Sequence, residues 1–365
     1  MVEAIQKKVD PKHAYAILIA ALAGVLFFVH SPLSQLFNMP VPVDFEVPLL
    51  ARDRLIQGMD PYIPNEILPY KYSPFAALPY YLLPTDHAMA WFYFKLVSIL
   101  ALIKTLAFGY REATWRRVLL TFVGIALAWK GFAQTIFYGQ LEFIILAMAV
   151  GATWLFPFSP LLAGILIGIL PWLKIPLGFL VFPFLILLWT DYSRTRNTRP
   201  GIAFFGGLGL ASVFCGVIFP ALAFGLDRTL ELTRSWLVLI KTQPPELFEE
   251  AINQSIWMAM VRWFGPAVGG SFVMKAIVLA LILGAMALLV RRHMRNWSVR
   301  ENPLVWISPW ILLNQIINPL GWVWGGLFVL GVPLALEKPL PRKRWLFVLT
   351  LILIAATWLV QQRPF

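Results

Sequence analysis

A succession of apolar segments, each long enough or nearly long enough to cross a lipid bilayer, limits what this chain can become. In order they are Ala14–Val29, Ala88–Phe108, Val118–Phe137, Leu141–Phe156, Leu161–Leu173, Pro176–Trp189, Ile202–Phe224, Phe272–Val290, Leu304–Ile317, Gly321–Leu336 and Trp345–Val360. Each stands for one crossing, a straight one needing roughly 20 residues, so the chain makes about eleven. In hydrocarbon every backbone N–H and C=O must be paired inside the segment, which makes these segments helices. The expected fold is an all-α polytopic membrane protein, a single integral unit over residues 1–365. Charged residues are 13% of the chain, about half the usage of soluble domains. Its 28 prolines and 24 glycines would interrupt helices in water. In a membrane they are tolerated where neighbouring helices or water re-satisfy the backbone, so some helices are expected to be broken around a cavity.

The basic residues punctuate this pattern. Lys7, Lys8 and Lys12 precede the first segment. Arg111, Arg116 and Arg117, then Arg194, Arg196 and Arg199, then Arg291, Arg292, Arg295 and Arg300, then Lys338, Arg342, Lys343 and Arg344 form the later clusters. Counted as single crossings, the segments put all five clusters on one side, which by the positive-inside rule is the cytoplasm. The expectation is a multi-pass inner-membrane protein with a cytoplasmic N-terminus. The net charge of +12 is thereby explained by orientation, and nucleic acid is not an expected partner. The N-terminal apolar run lacks a small-residue cleavage site and reads as a retained first helix. One cysteine, Cys215, precludes a disulfide framework or thiolate metal site within the chain, and the four histidines are scattered; no metal or cofactor is expected.

The opposite side receives two long connections, about residues 30–73 and 225–271, of the size that usually carries function and here rich in aromatic residues. Glu246–Phe264 has apolar residues at helical spacing, as a short amphipathic interfacial helix would. In the first connection Asp44 allows two readings. It is placed to cap a helix over Phe45–Gln57. It is also placed as a general base at the membrane surface, where partial desolvation would raise its pKa towards the working pH. Lys174, at the apex of two short segments, either snorkels to the interface or faces a cavity and holds a phosphate. Gln140 and Glu142 read as a polar turn or as ligand contacts. Pro74–Pro84 reads as an apolar piece at the interface.

Several of these stretches together resemble glycosyltransferase family 87, membrane enzymes that use polyprenyl-phosphate sugars and have the C-type glycosyltransferase fold. They are D-F-E-V from Asp44 with L-I-Q-G-M-D-P-Y from Leu55; Y-K-Y-S-P-F-A-A-L-P-Y-Y-L-L-P, Tyr70–Pro84; G-Q-L-E-F, Gly139–Phe143; A-G-I-L-I-G-I-L-P-W-L-K-I-P from Ala163; and N-Q-S, Asn253–Ser255. Ser73 stands where the family's apolar segment has a first proline, and Glu142 where its turn has asparagine. The late N-P-L-G-W-V-W lacks a histidine. The resemblance implies transfer of a sugar, mannose in the best-known members, to a lipid or glycan acceptor on the extracytoplasmic face. It matches Asp44 to the base and offers Lys174 and Gln140 as donor contacts, to which Glu142, Arg52, Tyr62, Tyr72 and Arg262 are added as further candidates. The competing class is a secondary transporter or lipid-linked-sugar flippase, which broken helices and an intramembrane lysine also suit.

Overall fold

The computed structural model describes residues 41–63, 69–108, 115, 118–121, 123–125, 135, 138–242, 256–296 and 303–317, and among these it is helical, without strands. The described residues divide into two compact units, 41–105 with 135–242 and 106–125 with 256–317.

The first unit opens with α1 (Val43–Ile56). Its N-cap is Pro42, which offers no side chain to the orphan amides. The capping role anticipated for Asp44 is thus corrected. Asp44 lies in the first helical turn with Glu46, where negative charge favours the positive end of the helix dipole. One side of α1 sends Phe45 and Leu49 among Tyr80, Ala90, Trp91 and Phe94. Another packs Ala51 and Leu55 with Tyr62, Tyr70, Leu232, Trp236 and Leu239. Pro74–Pro84 becomes α2 (Pro74–Ala77), capped by the Ser73 hydroxyl, followed by a 3-10 turn, Leu78–Leu82, and both pack against α1.

Next come α3 (His87–Phe108), α4 (Glu142–Leu155) and α5 (Pro160–Leu173). A 3-10 turn, Ile175–Leu180, then leads into α6 (Val181–Thr195). α7 (Arg199–Val213) continues through a π-turn, Phe214–Ile218, into α8 (Phe219–Phe224), and α9 (Leu226–Lys241) follows Gly225. Among the described residues three stretches are long and apolar enough to cross a membrane: His87–Leu106 with 20 residues, Ile175–Thr195 with 21 and Arg199–Phe224 with 26. The segment read as short at Pro176–Trp189 is therefore of full length, because it starts one residue earlier, in the 3-10 turn at Ile175, and the helix continues to Thr195. The segments Ala14–Val29, Gly321–Leu336 and Trp345–Val360, and most of Val118–Phe137, lie outside the described residues, as do Asn253–Ser255 and N-P-L-G-W-V-W.

Glycine sets the closest approach in this unit. A Cβ on Gly164 would sit 2.1 Å from the Phe204 carbonyl oxygen, and one on Gly207 2.1 Å from that of Leu161. A Cβ on Gly168 would meet Ala211, and one on Gly216 would meet the Trp172 ring. The pairs climb together along both helices, so α7 runs parallel to α5. Where lipid removes the hydrophobic drive between helices, such backbone approach supplies the attraction. Lys174 and Gly225 consequently emerge at one end, and Arg194, Arg196 and Arg199 at the other.

In the second unit α10 (Ile256–Gly269), bent at Gly265 where φ is 75°, packs with α11 (Phe272–Asn296) and α12 (Pro303–Ile317). The described part of Glu246–Phe264, from Ile256 onwards, is helical.

Replacing Gly207 with leucine should lower stability by about 1–3 kcal/mol through overpacking. Thermal unfolding of the detergent-purified protein should show a clear drop. Gly209→Ala, which adds a methyl where nothing lies within 4 Å, should leave it unchanged.

Candidate active site

α4 and α5 meet again at the ends that carry Glu142 and Lys174. The Glu142 side chain is 1% exposed, a position that a carboxylate tolerates only with a partner. Lys174 Nζ supplies it, donating to Glu142 Oε1 at 2.5 Å and to Gln140 Oε1 at 3.0 Å. Lysine has only donors, so the amide oxygen of Gln140 must face it. The Gln140 Nε2 group then points the other way and donates to Asp44 Oδ2 at 2.6 Å. Four side chains from three parts of the sequence form one chain of hydrogen bonds. Lys174 uses two of its three N–H groups in it.

Gly139 lets the turn come this close. It has φ of 68°, and a Cβ there would lie 2.5 Å from that of Phe45, one residue after Asp44. Asp44 itself is half-buried. Burial pushes its carboxyl above the ordinary aspartate range, opposed by the Gln140 hydrogen bond and by the positive charges of Lys174 and Lys71.

The segment 69–73 lies beside this cluster and has its carbonyls captured by side chains. Trp236 Nε1 donates to the Lys71 oxygen at 3.0 Å, the Tyr62 hydroxyl to that of Tyr72 at 3.0 Å, and the Tyr70 hydroxyl to that of Ser73 at 3.1 Å. Ser73 Oγ in turn donates to the Trp172 carbonyl at 2.5 Å, two residues before Lys174. Burial, and then the charges of Asp44 and Glu142, raise the Tyr72 hydroxyl far above the ordinary tyrosine range, so it stays protonated.

Of the residues singled out from sequence, Asp44, Gln140, Glu142 and Lys174 are therefore joined. Tyr72 lies within their electrostatic reach, and Tyr62 holds Tyr72 from behind. Arg52 is engaged elsewhere. Buried at 2% exposure, it bonds Asp53 at 2.7 Å and the Pro84 carbonyl at 2.9 Å, with longer bonds to the carbonyls of Tyr80, Leu83 and Thr85. It staples the turn after α2 to α1. Arg262 lies on α10, and its side chain is outside the described residues. Sequence reasoning passed over Lys71, Ser73 and Trp236 as neighbours of the site. Only the glycine preceding Gln140 signalled how tightly the turn must pack. Among the described residues no group of histidine, cysteine and acidic side chains has the arrangement to hold a metal ion.

The family model for glycosyltransferase family 87 matches residues 70–309, about two thirds of the chain. The chain belongs to glycosyltransferase family 87. The matched region holds Gln140, Glu142 and Lys174, and Asp44 precedes it. Membership makes the chain a glycosyltransferase, and the three long apolar helices make it a membrane protein. No curated protein and no solved structure matches the chain.

In this family member, removing the cation from the buried pair has a defined expectation. Lys174→Met strands the Glu142 carboxylate and should destabilise by about 3–5 kcal/mol. Lys174→Met with Glu142→Leu should recover most of that loss, measured as a double-mutant cycle in denaturant or heat.

Proposed function

We propose that this glycosyltransferase moves a sugar, with mannose the first to test, from a polyprenyl-phosphate donor to a lipid or glycan acceptor on the extracytoplasmic face, with Asp44 as general base. The observation that carries the reading is the bonding of Asp44. Gln140 occupies one carboxylate oxygen, leaving the other to accept the proton of an acceptor hydroxyl. Burial raises its pKa towards the range where a base works near neutrality.

The acceptor oxygen attacks the anomeric carbon as its proton passes to Asp44. A new carbon–oxygen bond forms while the bond from that carbon to the phosphate oxygen breaks, and the electron pair leaves with polyprenyl phosphate. The third N–H of Lys174 is the proposed contact for the charge that develops there. Tyr72, kept protonated, is the proposed second donor. Glu142 is enclosed and paired with Lys174, so it has no route to a sugar carbon. A single displacement with inversion follows. Arg52, by its bonding, belongs to the scaffold in this reading, and Arg262 remains a proposed headgroup contact. The donor is a co-substrate, and the mechanism assigns no step to a metal or other cofactor. A phosphate leaving group is already good, so the base and the donors suffice. The cytoplasmic placement of the Arg194, Arg196 and Arg199 end is the matching proposal for orientation.

Incubating the purified protein with polyprenyl-phosphate mannose, glucose or arabinose and a membrane extract tests the donor class, a shifted glycolipid or glycan being the expected product. Asp44→Asn should lower kcat by about 10²–10⁴ while binding of donor is retained. Full activity in that variant would remove the proposed base.

The pH dependence has a definite sign. A base acts when ionised, so kcat/KM should rise with pH through the folded pKa of Asp44, above the ordinary carboxylate range. Gln140→Leu removes a hydrogen bond that favours the ionised form, so it should move this rising limb to higher pH. For stability the direction is opposite. A raised folded pKa favours folding below the ordinary aspartate range, and that contribution is lost as pH rises through the raised value. Asp44→Asn should therefore unfold at least as high as the parent at pH 7.

A further inference from the structure

α9 is the helix that holds segment 69–73 in place, and it has a second apolar face with no role in that task. Thr229, Leu232, Trp236 and Leu239 are buried. From that face Trp236 bonds the Lys71 carbonyl, and beside it Ser235 Oγ donates to Asp60 Oδ2 at 2.8 Å while Arg228 donates to the Gly58 carbonyl at 3.2 Å. Leu226, Leu230 and Leu237 lie elsewhere on the helix. Spaced by four and seven residues they share one face, and they are 54%, 59% and 47% exposed. Arg234 and Lys241, four residues after Leu230 and Leu237, border this strip and are exposed. Asp227 and Glu231 lie farther round the helix, where Glu231 pairs with Arg228 at 2.6 Å.

The strip continues an apolar surface that begins in the preceding crossing. Arg199–Phe224 exposes Ile202, Phe205, Leu210, Val213, Val217 and Leu222, the last at 80%. At Gly225, with φ of 83°, the chain turns and α9 begins against α8. A soluble helix has one apolar stripe facing its core. α9 has one stripe on the protein and one turned outward, directly after a helix that crosses the bilayer.

We propose that α9 lies in the surface of the leaflet at the Lys174 end, its leucine strip among the acyl chains and Arg234 and Lys241 on the phosphates of anionic phospholipid. This goes beyond the transfer reading and does not depend on it. It makes the bilayer surface the support on which Gly58, Asp60 and Lys71 rest, through Arg228, Ser235 and Trp236. The charge fits: basic side chains edging an apolar strip are what an anionic lipid surface attracts.

The experiment uses the full chain in vesicles. Single cysteines replace Leu230, Leu237 or Glu231 in a Cys215→Ala background, or with the buried Cys215 left in place should that background not purify. Each is labelled with a polarity-sensitive fluorophore. Vesicles of phosphatidylcholine with a quarter phosphatidylglycerol, with and without brominated acyl chains, report depth. Bromolipid should quench the labels at 230 and 237 and spare the one at 231, which aqueous iodide should quench instead. Removing phosphatidylglycerol should shift the emission of the label at 230 to the red, and Arg234→Gln with Lys241→Gln should abolish that shift. Labels at 230 and 237 that iodide reaches as readily as 231 would overturn the proposal. So would labels shielded from both quenchers, since a protein would then cover the strip, and so would an emission indifferent to anionic lipid. No readout involves sugar transfer, so failure here and failure of the proposed reaction are separately visible.

Discussion

One enclosed carboxylate organises the site. Glu142 is held where water does not reach it, and an unpaired charge there would cost several kcal/mol. The ends of α4 and α5 are thereby obliged to stay together, because Lys174 is its partner. The same ammonium has only protons to offer, which decides how Gln140 is oriented and therefore what Asp44 receives. The orientation of the proposed base is set two side chains away from it. A buried ion pair of this kind is weak support for stability but a strong constraint on geometry.

The rest of the first unit serves that constraint from two sides. Within the apolar helices, Gly164, Gly168 and Gly207 bring α5 and α7 to backbone contact, which fixes the height of Trp172 and Lys174 along the bundle. Above them, a segment with no regular structure survives because its carbonyls are met by Trp236, Tyr62 and Tyr70. Buried backbone groups must be paired, and here side chains replace a ladder. Asp44 sits at the seam. Its raised pKa means folding works against its ionisation, the arrangement expected where a group is kept for chemistry at some expense in stability.

Much of this could be read from the chain alone, and the exceptions are instructive. Asp44, Gln140, Glu142 and Lys174 stood out because charged and amide groups beside apolar segments are conspicuous. Their mutual bonding was not legible, since up to 130 positions separate them in sequence. Asp44 looked like a cap because residue type suggests one, yet Pro42 had already started the helix. Arg52 looked like a ligand contact by its charge. Burial against four carbonyls turned it into a staple. The crossing after Lys174 looked short because its apolar run ends at Trp189, whereas the 3-10 turn and the helix after it carry the chain from Ile175 to Thr195. In each case the local signal was correct in kind, and packing decided its use.

Hydropathy by itself determined that the chain is helical and belongs in a membrane, because an apolar stretch in lipid has no other way to pair its backbone. Ordered short motifs by themselves determined the family. Only the tertiary structure decided which polar side chains meet, for hydrogen bonds and ion pairs reach about 3 Å and depend on how helices are brought side by side. The glycines at those contacts carry no chemical signature of the partner they will approach. Their meaning appears only when the facing backbone arrives.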